Sequence, residues 1–321
     1  MKKIVSSVAY PLIFMMIFAS CSRSNQNSLG TTTQDSFAKT GRNSTESALA
    51  SNPSTLIEEK DAVDVDGSMS SDSNAPQRVS GYANVDGTKI ILLSINPMIF
   101  DNKLLTYFKY AVGGDGSSFE VEYDTYQEWK FGITTGQQTA QNFDNEEGCI
   151  YVVRNAVVWP NGTYILFSEA EYNKYTILQK IETENDQVAL SELKVECENL
   201  KERKIIDLWR LAQYQNDVSI SMVVFENIGD ELLAWLVLED GSGFRYCDFP
   251  ATLKDGVGWQ PYDYGILGEN AIRLIGTLQN EQGFVVYLTW YDFEGTYEYE
   301  IIYNLDNTSG YDIISARYIV P

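Results

Sequence analysis

Leu232-Leu233-Ala234-Trp235-Leu236-Val237-Leu238, followed closely by Asp240-Gly241, decides the fold class of this chain. An apolar run this short, bounded by a pair that supplies the positive φ of a tight hairpin, reads as a buried strand entering a turn. Trp235 at its centre is expected in the core. Similar segments recur on either side, at Lys89–Ile95, Leu104–Val112, Cys149–Val158, Thr163–Phe167, Val218–Phe225, Phe284–Trp290 and Tyr297–Tyr303. The breaks between them carry turn chemistry: Val85-Asp86-Gly87, Gly113-Gly114-Asp115-Gly116, Pro160-Asn161-Gly162 and Asp255-Gly256. Val158-Trp159-Pro160-Asn161-Gly162-Thr163-Tyr164 reads as a hairpin. With 21 Tyr and 6 Trp among the β-branched residues, the composition also favours strands.

The predicted fold is therefore all-β, an antiparallel meander of several small sheets with a propeller-like spacing. Two tandem β-sandwich domains would give much the same pattern. The spacing comes from strand-like groups in 149–199, 203–253 and 271–321, and suggests sub-units at 78–148, 149–202, 203–268 and 269–321. Leu200–Tyr214 fits either a short helix or a strand, and periodicity does not choose between them.

The chain begins Met1-Lys2-Lys3, runs apolar from Ile4 to Phe18, and reaches Ala19-Ser20-Cys21. A positive start, an apolar stretch shorter than the ~20 residues that span a bilayer, and small residues before a cut site are the parts of an export signal. Phe18-Ala19-Ser20-Cys21 resembles the lipobox of bacterial lipoproteins, with Phe18 in place of the usual aliphatic residue. The resemblance covers the first 21 residues only. It implies a signal peptide at 1–20, cleavage before Cys21, and lipid (diacylglycerol and palmitate) on that cysteine. The protein would then be a membrane lipid-anchored protein of the cell envelope. With Ser22 following the cysteine, it would sit in the outer membrane if the cell is Gram-negative.

Residues 21–77 hold the lipidated cysteine and a Ser/Thr/Asn-rich stretch with Phe37 as its sole aromatic residue. Such a composition cannot bury enough apolar surface to offset backbone ordering, so a disordered tether is expected, with an r.m.s. span of about 40 Å. Asp61-Ala-Val-Asp64-Val-Asp66-Gly67 falls short of a calcium loop, because Ala62 and Ser73 would occupy its first and twelfth positions. The folded region is placed at 78–321.

Formal net charge is -22, and loss of Lys2 and Lys3 with the signal makes the remainder more negative still. Such a polyanion is repelled by nucleic acid, which excludes that partner. The chain contains no histidine. Ser-His-Asp and Cys-His catalysis and imidazole-held zinc or haem are thereby excluded. Cys149, Cys197 and Cys247 lack metal or redox spacing; a Cys149–Cys197 bridge and small buried thiols both fit, with Cys149 and Cys197 read as strand residues.

Glu169 with Glu171, and Glu298 with Glu300, are i,i+2 carboxylate pairs that would share a strand face, as glycoside hydrolysis would need two acids. They read better as solvated faces. Ser191-Glu-Leu-Lys194 has the spacing of a Ser-Lys nucleophile pair but lacks its companion motifs and reads as strand. The loop Gly256–Gly265 offers Trp259, Tyr262 and Tyr264 as candidate ligand contacts, since exposed aromatics beside Asp can stack on sugars. No catalytic residue, cofactor or metal is assigned. The expected role is a noncatalytic binding or scaffold domain for a protein partner, and the alternative is a glycan-binding or glycan-cleaving lipoprotein.

Overall fold

The computed structural model describes residues 78–92, 106–114, 116–130, 136–181, 187–259, 265–292, 295–306 and 308–319. All belong to one unit, Ser68–Pro321. Cys21, the tether, Tyr262 and Tyr264 lie outside the described residues.

The chain is an all-β protein of antiparallel sheets. Six strands close a barrel: β1 (Arg78–Ala83), β2 (Lys89–Leu92), β3 (Phe108–Gly113), β4 (Ser117–Gln127), β5 (Gly148–Val153) and β6 (Thr163–Ser168), in the order β1-β2-β5-β4-β3-β6. The β1–β2 hairpin turns at Gly87, whose φ of 67° is open to glycine at no steric cost. Ile90, Leu92, Ala111, Tyr151 and Leu166 fill the barrel interior.

Two five-stranded sheets follow. The first is β12-β11-β10-β9-β8, from β8 (Lys180–Ile181), β9 (Ile205–Tyr214), β10 (Ser219–Phe225), β11 (Glu231–Asp240) and β12 (Gly243–Thr252). The second is β16-β15-β14-β13-β7, from β7 (Thr176–Ile177), β13 (Ile272–Asn280), β14 (Gly283–Tyr291), β15 (Gly295–Asn304) and β16 (Ser309–Tyr318). The fifty-residue spacing thus corresponds to two meanders, β9–β12 and β13–β16. It does not extend to 149–199, where β5 and β6 complete the barrel and a helix follows.

The two meanders bury their facing sides together. Met222, Leu236 and Phe249 from the first pack with Val286, Leu288 and Trp290 from the second. Tyr303 Oη crosses between them to donate to the Leu236 carbonyl at 2.8 Å. On the far side of the first sheet, Val223, Trp235 and Val237 pack beneath a helix. On the far side of the second, Val285 and Tyr287 meet Ile165 and Phe167 of the barrel. Helix, sheet, sheet and barrel are successive layers. The central strands are therefore covered on both faces, which is why Leu232–Leu238 is apolar without alternation. Gly276 lies where β13 approaches the barrel, and a Cβ there would meet Val112 Cγ1 at 2.9 Å.

Several local expectations are corrected. Val158–Tyr164 is not a hairpin: β5 and β6 pair with other strands, and the loop between them crosses one end of the barrel. Leu193-Lys-Val195-Glu-Cys197 alternates like a strand, yet it lies in the helix Gln187–Lys201. The helix forms because Leu193 and Cys197, one turn apart, both face the sheet, while Val195 is 58 % exposed. Ser191 and Lys194 lie on that helix's exposed surface. Leu200–Tyr214 resolves largely as strand β9, because its backbone pairs with β10 from Ile205 onward.

Cys149, Cys197 and Cys247 are buried thiols that form no disulfide, so the Cys149–Cys197 bridge is absent. Burial pushes the thiol of Cys149 up to about 11 and those of Cys197 and Cys247 to about 12. With Cys21 replaced by alanine, the native protein should show no fast reaction with a disulfide reagent at pH 8. All three thiols should react once it is unfolded in guanidinium. Fast labelling of the native protein would contradict this arrangement.

Candidate functional site

The seam between the barrel and the second sheet is built from the alternation of one strand. In β1, Val79 and Ala83 turn into the barrel. Arg78, Ser80 and Tyr82 therefore project from its outer face, spaced by the period of two. That face meets β15 and β16, and each of the three residues meets polar or charged groups there.

Arg78 pairs with Glu300 at 2.9 Å and also donates to Tyr287 Oη at 2.8 Å. Tyr287 in turn donates to Glu300 at 2.6 Å. Tyr175 Oη links the group to Glu171 at 3.2 Å, and Lys174 Nζ caps Glu171 at 2.5 Å. Burial alone would lower the Arg78 pKa, but Tyr287, Glu300 and Tyr175 outweigh it and hold the guanidinium charged. Burial, with Glu300 beside it, keeps Tyr287 protonated.

One step along, Ser80 Oγ donates to Ser315 Oγ at 2.5 Å and Ser315 to Glu298 Oε2 at 2.6 Å. Thr296 Oγ1 donates to the other oxygen, Oε1, at 2.9 Å. A further step on, the Arg317 guanidinium lies over the Tyr82 ring at 4.6 Å. Arg317 is 8 % exposed. Its two terminal nitrogens reach the Asn161 carbonyl at 3.3 Å, while its Nε has no hydrogen-bond partner. The Tyr82 hydroxyl has none either. Burial lowers the Arg317 pKa, and Glu298 and Tyr82 act against that.

Glu298 and Glu300 are 1 % and 7 % exposed, so the solvated face expected for them is a covered one. Glu171 is also buried and Glu169 exposed, and both stand on the short helix α1 (Glu169–Tyr172) rather than on a strand. Neither pair presents two carboxylates to one open space.

Two clefts open along the seam. One, of about 210 Å³, is lined by Ser80, Tyr82, Gln138, Thr163, Glu298 and Arg317, among others. The other, of about 150 Å³, includes Trp159, Asn161, Thr163, Arg273 and Tyr291. Thr163 borders both. Trp159 is 59 % exposed, with the Arg273 guanidinium over its ring at 4.9 Å. Both clefts fall below the ~300 Å³ of drug-sized pockets and suit one small ring or a few waters.

Trp259 belongs to neither cleft. Its indole N–H donates to the Phe249 carbonyl at 2.9 Å, and the ring packs on the core shared by the two sheets. Among the described residues no three Asp, Glu or Cys side chains gather closely enough to hold a metal. The cleft residues missed in the sequence are Ser80, Tyr82, Ser315 and Arg317. Their one signal is polar alternation in Arg78-Val-Ser80-Gly-Tyr82 and Ser315-Ala-Arg317, the pattern of any half-exposed strand.

No known protein family, curated protein or solved structure matches this chain.

Proposed function

We propose that this protein is an exported lipoprotein, lipidated on Cys21, whose β-rich unit is a noncatalytic binding module. The carrying observation for binding over chemistry is the state of the buried carboxylates. Glu300 and Glu171 are tied to Arg78, Tyr287, Tyr175 and Lys174 away from open space. Glu298 is the one carboxylate among the described residues that lines either cleft. Two-carboxylate hydrolysis needs a partner across the bond, and no second described carboxylate stands in the clefts. Hydrogen-bonding side chains around a small cleft instead suit recognition of a polar group.

The anchor rests on Lys2, Lys3, the apolar run to Phe18 and the lipobox-like residues before Cys21. Lipid on Cys21 is the proposed attachment; no helix among the described residues is long and apolar enough to cross a membrane. Acyl chains contribute about 0.8 kcal/mol per buried CH₂, and more than one chain gives lasting attachment. Expressed in its own host, the wild-type chain should incorporate a palmitate analogue and partition with membranes. Cys21→Ala should abolish both. A mature N-terminus other than acylated Cys21, read by mass spectrometry, would defeat the anchoring half of the proposal.

The alternative of a glycan ligand is favoured by the seam itself, where an exposed indole stands beside a cleft lined by hydroxyls, a carboxylate and a guanidinium.

A further inference from the structure

The larger cleft contains an imbalance that the fold does not explain. A buried guanidinium normally has a carboxylate or several carbonyls around it, because leaving charged donors unpaired is costly. Arg317 has no carboxylate within 4.0 Å among the described residues, and its Nε is unpartnered. Its terminal nitrogens make only long contacts, 3.3–3.4 Å, to the backbone and side-chain carbonyl oxygens of the single residue Asn161. Tyr82, whose buried hydroxyl is also unpartnered, lines the same wall. Glu298 has donors from Ser315 and Thr296 and a long one, 3.5 Å, from Thr163, yet a carboxylate accepts about four hydrogen bonds. The cleft therefore keeps spare donor and acceptor capacity side by side.

Three kinds of occupant can be weighed. A free anion would answer Arg317 but would be brought against Glu298, in a chain of net charge -22. An apolar peptide side chain would leave every one of these groups unsatisfied. A ring bearing neighbouring hydroxyls fits both demands, since each hydroxyl donates to the carboxylate and accepts from the guanidinium. The second cleft, across Thr163, adds the half-exposed indole of Trp159, which carries the Arg273 guanidinium over its ring and against which the next ring of a chain can pack.

From this we infer that the seam binds a neutral saccharide, one ring held by its hydroxyls between Glu298 and Arg317 and the next against Trp159. The inference rests on the reading of the unit as a noncatalytic binding module and names its ligand class.

The test uses the full chain in detergent and calorimetric titration with neutral gluco-, manno- and xylo-oligosaccharides, with oligogalacturonate as the acidic counterpart. Neutral oligosaccharides should bind with little dependence on salt. Glu298→Gln should weaken binding at least about ten-fold, the equivalent of one charge-assisted hydrogen bond. Because Glu298 is buried, a second variant guards against simple misfolding. Gln138→Trp sits in a loop and retains the backbone bond from residue 138 to the Tyr318 carbonyl, 2.7 Å in length, while losing the exposed bond from the Tyr318 N–H to the Gln138 side-chain oxygen. It should block the cleft and abolish binding while the protein still unfolds in one cooperative transition, with its melting temperature lowered by only a few degrees.

Absence of binding to every neutral oligosaccharide, or binding that survives Gln138→Trp, overturns the site. Preference for oligogalacturonate with a steep loss in salt overturns the ligand class. Release of new reducing ends by the wild-type chain would instead defeat the noncatalytic reading and leave the cleft assignment standing, so the two failures are distinguishable.

Discussion

Arg78→Ala is expected to lower the stability of the folded unit by about 3 kcal/mol. The arginine binds Glu300 and Tyr287 directly and lies 3.9 Å from Glu171. Its side chain is 25 % exposed, whereas those of Glu300 and Glu171 are 9 % and 5 % exposed. Removal therefore leaves two carboxylates in a seam that water enters poorly. Lys174 remains to Glu171, so Glu300 bears most of the loss. Partial exposure of the arginine holds the effect to the low end of the range for broken buried pairs. Urea unfolding monitored by tryptophan fluorescence measures the change. The double variant Arg78→Ala/Glu300→Gln should recover part of the loss, because the amide still accepts from Tyr287 and bears no charge. A single-variant loss below about 1 kcal/mol would show that the seam is wetter than its geometry implies.

Trp235→Ala should cost about 3–5 kcal/mol, the range for removing a large aromatic side chain from a packed core. The indole is fully buried between the first sheet and the helix α2 (Gln187–Lys201). It stacks on Tyr246 with centroids 3.9 Å apart and takes the Phe225 ring edge-on at 4.7 Å. Its N–H has no partner, so hydrogen bonding is not what tryptophan contributes here. Trp235→Phe should consequently be much milder, at about 1 kcal/mol. Hydrogen exchange should quicken along α2 in the alanine variant, since Leu193 and Cys197 lose the surface they rest on. Equal losses for the two variants would show that ring shape is not decisive at this position.

The fold class was legible because it depends on local chemistry. Asp240-Gly241 and Asp255-Gly256 do form tight turns, and the long apolar runs are strands. Misreadings arose where two periods describe the same residues. Leu193–Cys197 alternates by twos and also places two apolar residues one turn apart, and the sheet surface of Trp235 decides between them. Pro160-Asn161-Gly162 makes a turn, but a turn does not state that its flanking strands pair with each other. The closure of β6 onto β1 and β3 separates it from β5.

The candidate site was less legible, because its polar residues belong to strands that meet only in the folded protein. Ser80 and Ser315 stand 235 residues apart in the chain, and Arg78 and Tyr287 stand 209 apart. In isolation, Ser80, Tyr82, Glu298 and Arg317 alternate as a solvated strand face would. Local composition therefore determined strands, turns and a buried Trp235, since those follow from backbone preference and side-chain polarity within a few residues. Only the tertiary structure decided that the outer face of β1 is covered by β15 and β16. Whether a polar strand face meets water or another strand is set by long-range packing, which no window of neighbouring residues contains.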